Sequence, residues 1–202
     1  MNALVPPRCL GCASVLDGDA RLCAICAEQL EDAPAPALWA LAGPLKDIVY
    51  RAKYSHDVGA AVGLAGLFAD GLARRPRVHA DVVTYVPASA RRAAVRGFDL
   101  PALMADAAAP VLGAACQALL RATRHDASLA ASAERAARAG LVAGRFGVRR
   151  PVAGLTVVVI DDVTTTGATL TEACRVLTEA GATAVPLTLA RTPDAGDTAL
   201  AL

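Results

Sequence analysis

Leu155-Thr156-Val157-Val158-Val159-Ile160-Asp161-Asp162-Val163-Thr164-Thr165-Thr166-Gly167-Ala168-Thr169 decides how this chain is read. Leu155–Ile160 is β-branched and nearly uninterrupted, which suits a strand buried on both faces of a parallel sheet. Two carboxylates end the run. A loop of threonine and glycine follows, and then a helix over Thr169–Ala180, stopped by Gly181. Free N–H groups at a helix start favour an anion. The hydroxyls of Thr164, Thr165, Thr166 and Thr169 add donors, and Gly167 lets the backbone approach closely. Two acids beside a phosphate would repel it unless they face something else, such as sugar hydroxyls or a divalent cation. Phosphate at one end and a diol at the other describes a ribose 5-phosphate. The carboxyl end of a parallel strand is also where open α/β sheets bind ligands. The plainer alternative is a strand–helix turn capped by Asp and Thr. It accounts for one Asp, but not for the pair together with four Thr.

Outward from this stretch the pattern alternates. Helices are expected over Pro44–Tyr54, Val58–Leu72 and Leu100–Leu112, and helix or mobile chain over Ala127–Ala139. Strands are expected at Val82–Val86, Gln117–Leu120 and Ala182–Leu189, with residues 194–202 frayed. Alternation of this kind means an α/β fold with a parallel core. The 202 residues allow one domain with a small appendage. A Pro-rich acidic stretch, Glu31–Pro36, reads as a linker and divides the chain into 1–38 and 39–202.

Composition excludes several classes. The chain is 55% hydrophobic, too apolar for a solvated coil. Its net charge is +1, which disfavours a globally basic nucleic-acid binder but leaves room for a local basic patch. No apolar run approaches the ~18–20 residues that span a membrane. Met1–Cys12 has no basic segment followed by an apolar one, so no export signal is read there. The expected location is cytoplasmic, with reduced cysteines.

Cys9, Cys12, Cys23 and Cys26 form C-x2-C-x10-C-x2-C. Two such knuckles can hold four thiolates around one Zn²⁺, leaving no open position, so the site would be structural. A piece this small cannot build its own core, and metal binding would supply folding energy. Two disulfides or a redox pair are the competing reading. Cys116 and Cys174 lie among apolar neighbours and read as small core residues.

A second loop follows the Val82–Val86 strand: Pro87-Ala88-Ser89-Ala90-Arg91-Arg92-Ala93-Ala94-Val95-Arg96-Gly97-Phe98-Asp99. Three Arg within six residues suit a polyanion, because guanidinium forks match phosphate oxygens. Pyrophosphate, a solvated basic surface, and single-stranded nucleic acid stacked on Phe98 are the three readings of this segment. Lys53 reads either as a phosphate contact or as a snorkelling helix residue. Arg121, Arg124 and His125 open a charged segment, either a closing loop or an exposed connector.

The stretch Val157–Thr169 resembles the phosphoribosyl-pyrophosphate (PRPP) motif of type I phosphoribosyltransferases. The spacing P-x3-R-R-x3-R-G-F from Pro87 resembles the ComF (late competence) branch of that group. So does the layout over nearly the whole chain: four-cysteine knuckle, Ala52-Lys53-Tyr54, the Arg loop, Leu120-Arg121 and the acidic–threonine motif. Two positions depart. Asp99-Leu100 stands where that branch commonly has Asn-Gln. Asp126 and Gly140 stand near its usual Gln and Asn, ahead of Gly144-Arg145-Phe146.

The resemblance implies a parallel-sheet phosphoribosyltransferase fold with an N-terminal zinc module. It implies PRPP bound with Mg²⁺ and phosphoribosyl transfer to an unidentified nitrogen acceptor, with pyrophosphate released. Asp161 and Asp162 would orient the ribose as the catalytic pair. Val163, Thr164, Thr165, Thr166, Gly167, Ala168 and Thr169 would hold the 5-phosphate. Ser89, Arg91, Arg92, Arg96 and Lys53 would hold the pyrophosphate, and Cys9, Cys12, Cys23 and Cys26 the zinc. The alternative is a non-catalytic accessory module of DNA uptake that binds single-stranded DNA or a helicase-type partner. A nucleobase-salvage enzyme ranks third, since the cysteine appendage is unusual for that role.

Overall fold

The computed structural model describes residues 6–88, 94–123 and 144–193. The segments expected over Ala127–Ala139 and 194–202 lie outside these. Among the described residues the helices are α1 (Ala24–Glu28), α2 (Gly43–Tyr54), α3 (Val58–Ala73), α4 (Leu100–Leu112) and α5 (Ala168–Glu179). The strands are β1 (Ala37–Ala40), β2 (Val82–Tyr85), β3 (Ala115–Cys116), β4 (Leu120–Ala122), β5 (Phe146–Val148), β6 (Thr156–Thr164) and β7 (Thr183–Arg191).

Five strands form one parallel sheet in the order β1-β7-β6-β2-β3. β6 lies at its centre and feeds two cores. Val158 and Ile160 join one with Phe68 of α3 and Met104 of α4. Val157 and Val159 join the other with Leu170 and Leu177 of α5. All four strand residues are fully buried. The uninterrupted apolar run thus has the physical cause expected of it, since neither face of this strand meets water.

Several elements differ from expectation, β7 among them, which runs over Thr183–Arg191. β6 does not stop at Ile160 but runs through both acids to Thr164, because β7 continues beside it, pairing Asp161 with Thr188 and Val163 with Ala190. Of the strand expected over Gln117–Leu120 only Leu120 lies in a strand; two short strands, β3 and β4, flank Gln117–Leu119. β3 pairs with β2, and β4 forms an antiparallel pair with β5. β1 takes in Ala37–Ala40, on both sides of the expected division at 38/39, because the edge of β7 offers it a partner (Ala37 beside Thr188).

The four-cysteine segment shares the main core. Cys9, Leu16, Leu22 and Cys26 belong to the same apolar cluster as α2 and α3. Leu10 lies over Gly63 of α3, where a Cβ would collide with its side chain, and the Arg21 guanidinium lies over Gly66. Arg21 also pairs with Asp70 at 2.9 Å, and the Arg51 guanidinium donates to the Leu10 carbonyl. Two small residues on one helix face allow this close approach.

The two glycines differ in what fills them. Gly63→Ala must displace a packed leucine and is expected to destabilise by about 1–3 kcal/mol. Gly66→Ala meets only the movable end of an arginine and adds helix propensity, so it should cost less than about 1 kcal/mol. Urea unfolding of the two variants checks the order.

Candidate functional site

The site forms where the burial of β6 ends. Strand alternation assigns Asp161 to the face of Val157 and Val159, and Asp162 to that of Val158 and Ile160. Asp162 accordingly meets α2: the Lys53 ammonium lies 2.8 Å from Asp162 Oδ2. The backbone holds both acids in place. The Asp162 N–H donates to Asp161 Oδ1 at 2.9 Å, and the Val163 N–H to Asp162 Oδ1 at 2.6 Å. The buried Thr188 hydroxyl donates to the Asp162 carbonyl at 3.0 Å.

Burial, and after it the neighbouring charge of Asp162, pushes the Asp161 carboxyl up to about 7. Burial also pushes up Asp99, whose Oδ2 accepts the Ala88 N–H at 3.0 Å. Among the described residues Asp99 Oδ1 has no partner. Asp99 thereby clasps the two ends of the Arg loop together.

One cavity of about 890 Å³ lies over the acid pair. Asp161, Asp162, Val163 and Thr169 line it together with Lys53 and Arg96. Arg96 Nε donates to the Lys53 carbonyl at 2.9 Å, and its guanidinium carbon sits 6.0 Å from the Tyr54 ring centre. The remaining residues of the threonine loop do not line the cavity. Thr165 and Thr166 are exposed, Thr164 and Gly167 are buried, and Ala168 is half-buried. Gly167 takes a left-handed φ of 77° at the point where the chain turns into α5, which only glycine adopts cheaply. Ser89, Arg91 and Arg92 lie outside the described residues, as do Arg124, His125 and Asp126.

Several residues in and next to the cavity carried no assigned role in the sequence. Arg145 and Phe146 form a wall. Glu172 of α5 accepts the Gly144 N–H at 2.6 Å and is itself held by Arg175 at 2.7 Å, so it fixes the start of β5. His56, with φ 53°, and Tyr54 stand at the end of α2. The only signal for these was adjacency: Tyr54 follows Lys53, and Arg145-Phe146 belongs to a Gly-x-Phe ending.

The cysteines converge as their spacing predicts. The four Sγ atoms lie within 4.8 Å of one another, and Cys12 and Cys23 are 3.7 Å apart. Tetrahedral Zn–S bonds of about 2.3 Å put sulfurs about 3.8 Å apart, so the donor set fits a metal such as zinc. The Cys23 N–H donates to Cys9 Sγ at 3.3 Å, a contact that steadies a thiolate. The cysteines are free thiols rather than disulfides.

Fold and site together define a parallel α/β protein with a mixed-charge cavity at the carboxyl ends of its central strands and a four-cysteine cluster. It is similar to solved phosphoribosyltransferase structures. Glutamine PRPP amidotransferase from B. subtilis, complexed with ADP and GMP, aligns with a TM-score of 0.47 and 27% identity over 64% of this chain. A structure of the allosteric regulatory enzyme of purine biosynthesis gives the same values. This chain spans 26% of the length of each of those two chains. A hypoxanthine phosphoribosyltransferase from Staphylococcus aureus aligns with a TM-score of 0.41 and 12% identity, over 67% of this chain and 65% of its own. No protein-family model matches the chain, and no curated protein matches it. Among the described residues no helix is long and apolar enough to cross a membrane.

Two expectations follow. The Asp161 carboxyl binds its proton more tightly folded than unfolded, so its contribution to stability is greatest below about pH 4 and is lost as pH rises through 7. Asp161→Asn should therefore gain on the wild type by on the order of 2–3 kcal/mol between pH 5 and pH 8. Denaturant midpoints at the two pH values measure this. The cysteine cluster should take up one zinc per chain, and Cys12→Ser should lose it and lower the melting temperature, read by metal analysis and calorimetry.

Proposed function

We propose that this chain binds PRPP with Mg²⁺ and transfers its phosphoribosyl group to a nitrogen acceptor, releasing pyrophosphate. We assign it to the ComF branch of the phosphoribosyltransferases, with residues 1–38 as a structural zinc module and 39–202 as the transferase domain, acting in the cytoplasm. One observation carries this reading. Two carboxylates at the end of the central strand, one of them paired with Lys53, share with Arg96 a cavity that also reaches the first turn of α5. Its size falls within the ~300–1,000 Å³ of small-molecule sites.

Each wall has a task. Asp161 and Asp162 accept hydrogen bonds from the ribose hydroxyls and offset the positive charge that develops on the sugar. Val163–Thr169, which reaches the cavity through Val163 and Thr169, binds the 5-phosphate. That remote binding energy holds the anomeric carbon in position. Lys53 and Arg96, with Ser89, Arg91 and Arg92, hold the pyrophosphate. In the reaction the bond from C1 to the pyrophosphate oxygen breaks and its electron pair leaves with pyrophosphate. A C1–N bond forms from the acceptor's lone pair, and the nitrogen gives up a proton to solvent. The donor set suits Mg²⁺ in company with the diphosphate, since Asp162 already has an ammonium at 2.8 Å. Mg²⁺ bound with PRPP would neutralise charge on the departing pyrophosphate. Zinc in the cysteine cluster would supply stability, because four sulfurs leave no open position.

The accessory-module reading has one observation in its favour. Tyr50 and Tyr54 are exposed with ring centres 4.9 Å apart, and Arg96 lies over Tyr54. Aromatic rings with a guanidinium are a stacking platform for single-stranded nucleic acid.

Calorimetry separates the two. The transferase reading expects Mg²⁺-dependent PRPP binding that is lost in Asp161→Asn/Asp162→Asn. No binding by the zinc-loaded wild type, with DNA affinity that falls steeply with salt and ignores the acid pair, would establish the module instead.

A further inference from the structure

Lys53 and Asp162 are largely enclosed, with side chains 16% and 12% exposed, and their charged atoms lie 2.8 Å apart. Removing one partner of such a pair strands the other charge away from water. Asp162 therefore does not stand free in the ligand-free protein. Yet Asp162 is one of the two carboxylates that the proposed function gives to the ribose hydroxyls. A sugar hydroxyl donating to Oδ2 must compete with an ammonium for it.

The other side of Lys53 resolves the competition. Its carbonyl accepts from Arg96 Nε at 2.9 Å, so the base of the side chain is pinned against the Arg loop. The ammonium meets the acid, and the wall that carries Arg96 lines the same cavity. Four rotatable bonds let it turn between them. A diphosphate on that wall offers the ammonium more negative charge than a single carboxylate.

The geometry points to a partner exchange: Lys53 holds Asp162 until a diphosphate arrives, then leaves it for the diphosphate, and so releases the acid to bind the sugar. This rests on the ribose-phosphate reading above and adds to it a coupling between the two halves of the site. The sign of that coupling is diagnostic. Two anions bound side by side repel, so without such a device each weakens the other. The exchange makes each strengthen the other, and linkage requires the effect to be equal in both directions.

The test uses the full zinc-loaded chain with ribose 5-phosphate and inorganic pyrophosphate as probes. Buffer without added divalent cation is required, because a metal ion bridging the two ligands would couple them by itself. Calorimetry gives the affinity for ribose 5-phosphate alone and with saturating pyrophosphate. In the wild type pyrophosphate should raise that affinity about tenfold, within the ~5–150-fold range of measured couplings. In Lys53→Met the gain should vanish or reverse, and Lys53→Arg should restore part of it. Thermal melts confirm folding, and Lys53→Gln serves if the methionine variant does not fold. Binding of both ligands by the wild type without mutual gain would overturn the exchange and leave the site reading standing. So would a positive coupling that survives in Lys53→Met. Binding of neither ligand by the wild type would remove the ribose-phosphate reading, and the exchange with it.

Discussion

A charge cannot follow a buried strand into the core without a partner, and the site is built around that constraint. Val157–Ile160 are fully enclosed on both faces. The next two residues are acids on a strand that β2 has left and β7 still accompanies. One of them takes an ammonium from α2, and the other keeps its proton to near neutral pH. Those two solutions, one ionic and one protonic, bring α2 and the Arg96 wall to the carboxyl end of the sheet. A cavity of mixed charge results, in place of the uniformly positive one that a phosphate site alone would need.

Much of the architecture was legible because it follows from local chemistry. The β-branched run marked β6, Gly181 closed α5, and α2, α3 and α4 were readable from apolar spacing to within a residue or two. The cysteine pairs were legible because two-residue spacing already turns two sulfurs toward one point. What escaped depended on partners far along the chain. Ala37–Ala40 looks like the end of a Pro-rich stretch and is a strand because β7 presents an open edge. Asp161 and Asp162 discourage a strand on propensity, and the β7 ladder overrides that. Lys53 and Asp162 meet through the fold alone, with no sequence signal linking their positions. The clasp of Asp99 on Ala88 was equally invisible, since its acid stood out only as a departure from the usual asparagine.

The cysteine segment is also more closely bound to the rest than its spacing alone suggests. Leu10 sits between two of the four cysteines. Its side chain fills the hollow at Gly63, and its carbonyl receives Arg51, two residues before Lys53. The cluster and the cavity are therefore served by the same last turn of α2. A helix face stripped to glycine lets the knuckle lie close enough for one arginine to reach it.

The strand order carries a consequence for synthesis. β6 and β7 occupy the interior of the sheet but follow β1, β2 and β3 in the chain. β1 pairs with residues 188–191, far along the chain from it. Until those residues emerge, β1 and β2 have no β6 or β7 to pair with, and the helices that cover them have an incomplete floor. Contacts so distant in sequence slow folding and prolong the exposure of apolar surface. The cysteine knuckle, α2 and α3 are consecutive and pack on one another, so they can form a small nucleus early. The cavity, by contrast, is complete only once β6 and the first turn of α5 have followed.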